Sequence, residues 1–78
     1  HWQLMPGERF EASVHGPATR ELIHVTAGSL LLDVEGTQNV VAAGCSAVAR
    51  TDRPHAYANP GTVPVQFTMV VHEPPASA

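Results

Sequence analysis

At 78 residues the chain has room for one compact domain with one core, which excludes a second domain on size. Hydrophobic residues make up 44% and charged residues 14%, a balance that excludes a disordered chain and confines disorder to the ends. The formal charge is −3, lysine is absent, and Arg9, Arg20, Arg50 and Arg53 are the only basic side chains, so direct contact with DNA or RNA is not expected of this segment.

In chain order, short apolar-alternating segments are separated by Gly, Pro, Asn and Asp, and no apolar stripe persists at helical spacing. The pattern predicts an all-β domain with strands near residues 2–5, 10–15, 21–27, 30–34, 38–42, 46–50, 55–59 and 65–72. Pro6-Gly7, His15-Gly16-Pro17, Ala27-Gly28, Glu35-Gly36, Ala43-Gly44, Asp52-Arg53-Pro54 and Asn59-Pro60-Gly61 supply the turns. Eight short antiparallel strands at this spacing read as a small barrel or sandwich. The opening His1-Trp2-Gln3-Leu4 is strand-like and lacks an initiator methionine, which is read as a piece of a longer protein. A domain over residues 1–73 is expected, followed by a flexible tail over 74–78, where Pro74 and Pro75 cannot donate ladder hydrogen bonds.

Period-two alternation sets the expected directions. Glu21, Ile23 and Val25 point inward while Leu22, His24 and Thr26 point outward; Leu30, Leu32 and Val34 point inward while Leu31 points outward. In the last strand Val65, Phe67, Met69 and Val71 form the inner face. His55, Tyr57 and Asn59 share one face and Ala56 and Ala58 the other, so the imidazole of His55 and the carboxylate of Glu21 are expected to meet in one interior. An unpaired carboxylate there would be costly, which calls for a metal, a histidine or an arginine beside it. Phe10, Ile23, Tyr57, Phe67 and Met69 line the expected interior, either as plain core or as the wall of a ligand pocket. Asn59 is expected to cap its own turn, and His1, His24 and His72 to face solvent or a partner. Cys45 is the sole cysteine; it excludes an internal disulfide, fits a reducing, cytoplasmic setting, and is expected to be a small buried residue. Arg53, before Pro54, is a candidate contact for an anionic ligand at the barrel mouth. No apolar run approaches the roughly 18 residues of a membrane span, so no membrane contact is expected.

The spacing of Gly44, Arg50, Asp52, His55 and Asn59 resembles the second motif of the cupins, in which Gly, Pro, Gly, His and Asn stand at these intervals. Arg50 and Asp52 replace the Pro and Gly. The first cupin motif is matched less fully: Glu21 and Gly28 keep its six-residue gap, Gly7 can begin it, and His15 is its single histidine, with Ser13 or Pro17 where a second would stand. The resemblance implies a double-stranded β-helix, or jelly-roll barrel. It also implies a ligand set of His15, Glu21 and His55 for a divalent transition metal such as Fe, Mn or Zn, with coordination positions left open.

The run 51–61, with His15-Gly16-Pro17-Ala18-Thr19-Arg20-Glu21-Leu22 upstream, further resembles the C-terminal sensor cupin of bacterial helix-turn-helix transcription regulators. That likeness implies a small-molecule effector, an N-terminal helix-turn-helix domain in the full chain, and no catalytic residue. Two alternatives stay open: a metal-dependent dioxygenase or isomerase with Tyr57 as acid or donor, and a dimerisation module in which Leu31, His24 and Val70 form the face for a homodimer.

Overall fold

The computed structural model describes residues 1–74, and the rest of the expected tail, 75–78, lies outside them. Eight strands form: β1 (Trp2–Leu4), β2 (Arg9–Ala12), β3 (Arg20–Ala27), β4 (Ser29–Val34), β5 (Thr37–Ala42), β6 (Ser46–Arg50), β7 (His55–Ala58) and β8 (Val65–His72). Each matches an expected strand to within a few residues; the largest difference is at β2, which stops at Ala12 and leaves His15 in a turn. There is no helix among the described residues, and so none long and apolar enough to cross a membrane.

The strands pair antiparallel into two four-stranded sheets, β1-β8-β3-β6 and β2-β7-β4-β5, the double-stranded β-helix that the motifs imply. Turn chemistry explains the local hairpins. Between β4 and β5, Glu35 and Gly36 both have positive φ (52° and 82°), the two-residue turn whose twist suits a hairpin, and Asp33 Oδ1 accepts from Gly36 N–H at 2.9 Å. Gly28 joins β3 to β4 at φ 72°, and a Cβ there would stand 2.6 Å from the Pro64 carbonyl oxygen and 2.8 Å from Val65 Cγ2. Gly28→Ala therefore combines a left-handed backbone with a collision against the chain entering β8. A loss of roughly 2–4 kcal/mol is expected in urea unfolding; a loss below about 0.5 kcal/mol would show that the turn relaxes freely.

The core forms where the inner faces of the two sheets meet. Ile23, Val25, Leu30 and Val65 are fully buried, with Leu32, Val41, Ala49, Tyr57 and Phe67 packed among them. Such burial stabilises by about 1.5–3 kcal/mol per large side chain. The alternation in β3 holds throughout, with Glu21, Ile23 and Val25 buried and Leu22, His24 and Thr26 exposed. Ala56 and Ala58 are also buried, on the outer side of β7, where the flanking strands place Glu11 and Asp33 beside Ala56 and Arg9 and Leu31 beside Ala58.

Two expectations are corrected. Cys45 is exposed, because it stands in the turn before β6 rather than on an inward strand position. Leu31, His24 and Val70 do not share a face: Leu31 is half-buried on β4 of one sheet, whereas His24 and Val70 lie on β3 and β8 of the other. The outward row on that sheet is Val48, Leu22 and Val70, paired across β6, β3 and β8 and all exposed.

Candidate functional site

The two sheets do not close over their interior completely. Near the ends of β1 and β2 a groove of about 410 Å³ opens between them, lined by Trp2, Phe10, Glu11, Ala12, Ser13, His15, Glu21, His55, Tyr57, Met69 and Val71. A smaller cavity of about 150 Å³ adjoins it and adds Gln3, Leu4 and Phe67 to the wall. Val71 pairs with Glu21 and so points inward as expected, yet it is 53% exposed because it lies at this open end. Phe10 opposes Tyr57 across β2 and β7 and is likewise half-exposed. Ile23 departs from its expected role as a pocket residue: it is sealed in the core and lines neither cavity.

Glu21 and His55 project into the groove from separate sheets, β3 and β7. Their polar atoms and a ring nitrogen of His15 all lie within 4.8 Å of one another. Glu21 is buried, and its two oxygens have separate partners: Oε1 accepts from the Tyr57 hydroxyl at 2.5 Å, and Oε2 lies 3.4 Å from His15 Nε2. Burial, then the bond to Glu21 and its charge, raises the Tyr57 pKa far above the ordinary phenol value, so Tyr57 stays a hydrogen-bond donor. Asn59, by contrast, is structural: its Nδ2 donates to the carbonyls of Leu4 and Val63, and its Oδ1 accepts from Gly61 N–H.

The donor set fits a divalent metal. His55 Nδ1 lies 2.7 Å from the Arg53 carbonyl oxygen, which can only accept, so Nδ1 carries the proton and the neutral ring's lone pair is on Nε2. That Nε2 is buried with no hydrogen-bond partner. Thr51 Oγ1 and Asp52 Oδ1 share that condition, but only His55 Nε2 belongs to the converging cluster. Ligands at 2.0–2.2 Å from one ion stand about 3–3.5 Å apart, a spacing that His15 and Glu21 already have at 3.4 Å, while the full set, spread over up to 4.8 Å, needs to close by at most about 1–2 Å. His15, 40% exposed in a loop, is the least confined of the three. Of the two residues that might have stood for a second histidine, Ser13 lines the groove and Pro17 does not.

His15 is positioned from the opposite loop. Its N–H donates to the Thr51 carbonyl at 2.9 Å, and three residues later Ala18, strained at φ 63°, donates its N–H to Asp52 Oδ2 at 3.1 Å. Desolvation would raise the Asp52 pKa, but the Ala18 bond and the charges of Arg50, Arg20 and Arg53 outweigh it and hold the carboxyl below its ordinary value. A depressed carboxylate contributes stability that is present above the unfolded pKa, about 3.9, and is lost as pH falls through the folded value. Wild type is therefore expected to exceed Asp52→Asn in stability at pH 7, with the gap closing below pH 4 in urea unfolding. A gap unchanged at pH 3 would remove Asp52 from this role.

Arg53 also pairs away from the groove. Arg53 Nη1 bonds Glu35 Oε1 at 2.8 Å and Arg53 does not line the groove, so the expected anion contact at the mouth is not formed there. A shallower depression of about 320 Å³ beside β7 is lined by Arg9, Glu11, Asp33 and Glu35, among others, where Arg9 pairs with Glu11 and Asp33. Trp2, which no motif marks, also lines the groove, brought there by the pairing of β1 with β8.

Residues 1–71 match the cupin domain family. The chain belongs to that family. This cupin is similar to the cupin domain of an XRE-family transcriptional regulator from Enterobacter cloacae, at 29% identity and a TM-score of 0.88, over 94% of this chain and 77% of that one. An HTH_3-family transcriptional regulator from Vibrio cholerae matches at 25% identity and a TM-score of 0.84, over 94% of this chain but only 40% of the other. At the level of fold alone, a protein described as a predicted oxalate decarboxylase from Thermotoga maritima matches at 18% identity and a TM-score of 0.73, over 88% of this cupin and 59% of that chain. No curated protein matched.

Proposed function

We propose that this cupin is the ligand-sensing domain of a cytoplasmic bacterial transcription regulator, which binds a small effector in the groove and passes its occupancy to an attached helix-turn-helix domain. The observation that carries the reading is the convergence of His55 Nε2, buried and without a partner, with Glu21 and His15 on the wall of an apolar groove. Likeness to the regulator domains from Enterobacter cloacae and Vibrio cholerae supplies the class. An effector acts by binding one of two conformations more tightly than the other.

In this reading His15, Glu21 and His55 hold a divalent metal of the Fe, Mn or Zn type. The metal, when bound, supplies a Lewis-acidic coordination point for an oxygen or nitrogen of the effector. Tyr57 fixes the unused oxygen of Glu21, and the Arg53 carbonyl fixes the tautomer of His55. A metal-dependent enzyme is the second reading, favoured by the coordination positions that three protein ligands leave open. The engagement of the Tyr57 proton with Glu21 counts against it, since the hydroxyl that would serve as acid is already committed.

Thermal unfolding of the 78-residue chain with Zn(II), Mn(II) and Fe(II) tests the reading. At a hundredfold excess over Kd a ligand of the folded state adds about 2.7 kcal/mol, which raises the midpoint of a domain this size by on the order of 10 °C. The rise is expected to vanish in His55→Ala. No rise with any of the three ions, or an equal rise in the variant, would defeat the metal site.

A further inference from the structure

The groove separates its polarity along its length. His15, Glu21 and His55 occupy one end, while Trp2, Phe10 and Met69 form the wall toward the other. The aromatic side chains run in succession: Trp2 lies 6.3 Å from Phe10, Phe10 stacks on Tyr57 at 6.5 Å with 17° between the planes, and Tyr57 lies 6.0 Å from Phe67. Trp2 and Phe10 are each 48% exposed at the rim, a costly placement for two large aromatics that a flat apolar ligand would relieve. Met69 is the adaptable surface against which such a ring can settle.

Charge narrows the class further. The chain has no lysine, and no arginine lines the groove. Arg9 is paired with Glu11 and Asp33, Arg20 and Arg50 with Asp52, and Arg53 with Glu35. One carboxylate, that of Glu21, faces the groove instead, while that of Glu11 pairs with Arg9 on the outer side. A phosphate dianion or a dicarboxylate entering it finds no guanidinium or ammonium partner, and a divalent ion with one carboxylate ligand offsets only a single negative charge.

Resting on the proposal that the groove is the effector site, we infer that its ligand is a flat aromatic molecule with adjacent oxygen donors and little or no negative charge. The ring lies along Trp2, Phe10 and Met69, and the oxygen donors face the His15, Glu21 and His55 cluster. Sugar phosphates and short aliphatic diacids are rejected.

Trp2 is the sole tryptophan of the chain and stands on the groove wall, so its fluorescence reports occupancy directly. The test titrates the 78-residue chain, with and without Zn(II), against three probes: salicylamide, its saturated analogue 2-hydroxycyclohexanecarboxamide, and glucose 6-phosphate. Trp2 emission and the Met69 methyl resonance are followed together. Salicylamide is expected to move both signals, to bind at least tenfold more tightly than the saturated analogue, and to lose about tenfold in Phe10→Leu, a rim substitution compatible with folding. Glucose 6-phosphate is expected to move neither. If the saturated analogue or the sugar phosphate occupies the groove as tightly as salicylamide, the aromatic assignment falls while the effector site stands. If all three probes leave Trp2 and Met69 unmoved, the assignment and the effector site fall together.

Discussion

Glu21→Gln is expected to lower divalent-metal affinity at least about 100-fold while leaving unfolding stability within about 1 kcal/mol of wild type. The two effects separate because glutamine keeps a carbonyl oxygen to accept the Tyr57 hydroxyl but loses the negative charge that a cation needs. Removing a buried charge also removes its desolvation cost, which offsets any weakening of the hydrogen bond. Glu21→Ala is expected to behave differently. It leaves the buried Tyr57 hydroxyl without an acceptor, and the orphaned group together with the space vacated costs roughly 2–4 kcal/mol. Calorimetric Zn(II) titration and urea unfolding of both variants check the pair. Unchanged metal affinity in Glu21→Gln would remove the carboxylate from the ligand set.

The largest loss of stability is expected at Phe67→Ala, at about 3–5 kcal/mol. Phe67 is 2% exposed, stands between Val65 and Met69 on β8, and packs near the Tyr57 ring across the interior. Domains gain about 0.05–0.15 kcal/mol per residue, so a chain of 78 residues has roughly 4–12 kcal/mol in all. The alanine variant is accordingly expected to be partly unfolded at room temperature, whereas Phe67→Leu, which preserves most of the volume, costs about 1–1.5 kcal/mol. A loss under about 1 kcal/mol in urea unfolding of Phe67→Ala would mean that the core near Tyr57 collapses to fill the gap.

Period-two alternation and turn residues were enough to place all eight strands, because both signals are local. The inward direction of Glu21 was legible from Ile23 and Val25 beside it, and that of His55 from Tyr57. The direction of His15 was not, since a turn has no alternation and its placement depends on the Thr51 carbonyl and Asp52, more than thirty residues away. Exposure of Phe10 and Val71 could not be read either: alternation gives the face of a strand, while the open end of the barrel is set by which strands become neighbours. The same distinction separates Leu31 from His24 and Val70, which alternate alike but belong to different sheets. Trp2 reaches the groove only through the pairing of β1 with β8, the two ends of the domain, a contact that no short stretch of sequence encodes.

The proposed function depends on a cation-binding centre that joins both sheets, and crystals grown with Zn(II), measured at the zinc absorption edge, test it most directly. A single strong anomalous peak is expected within 2.0–2.2 Å of His15 Nε2, Glu21 Oε2 and His55 Nε2. Zinc held only at surface residues such as Cys45 or His72, with His55 Nε2 bonded to a water or a protein acceptor instead, would contradict the account.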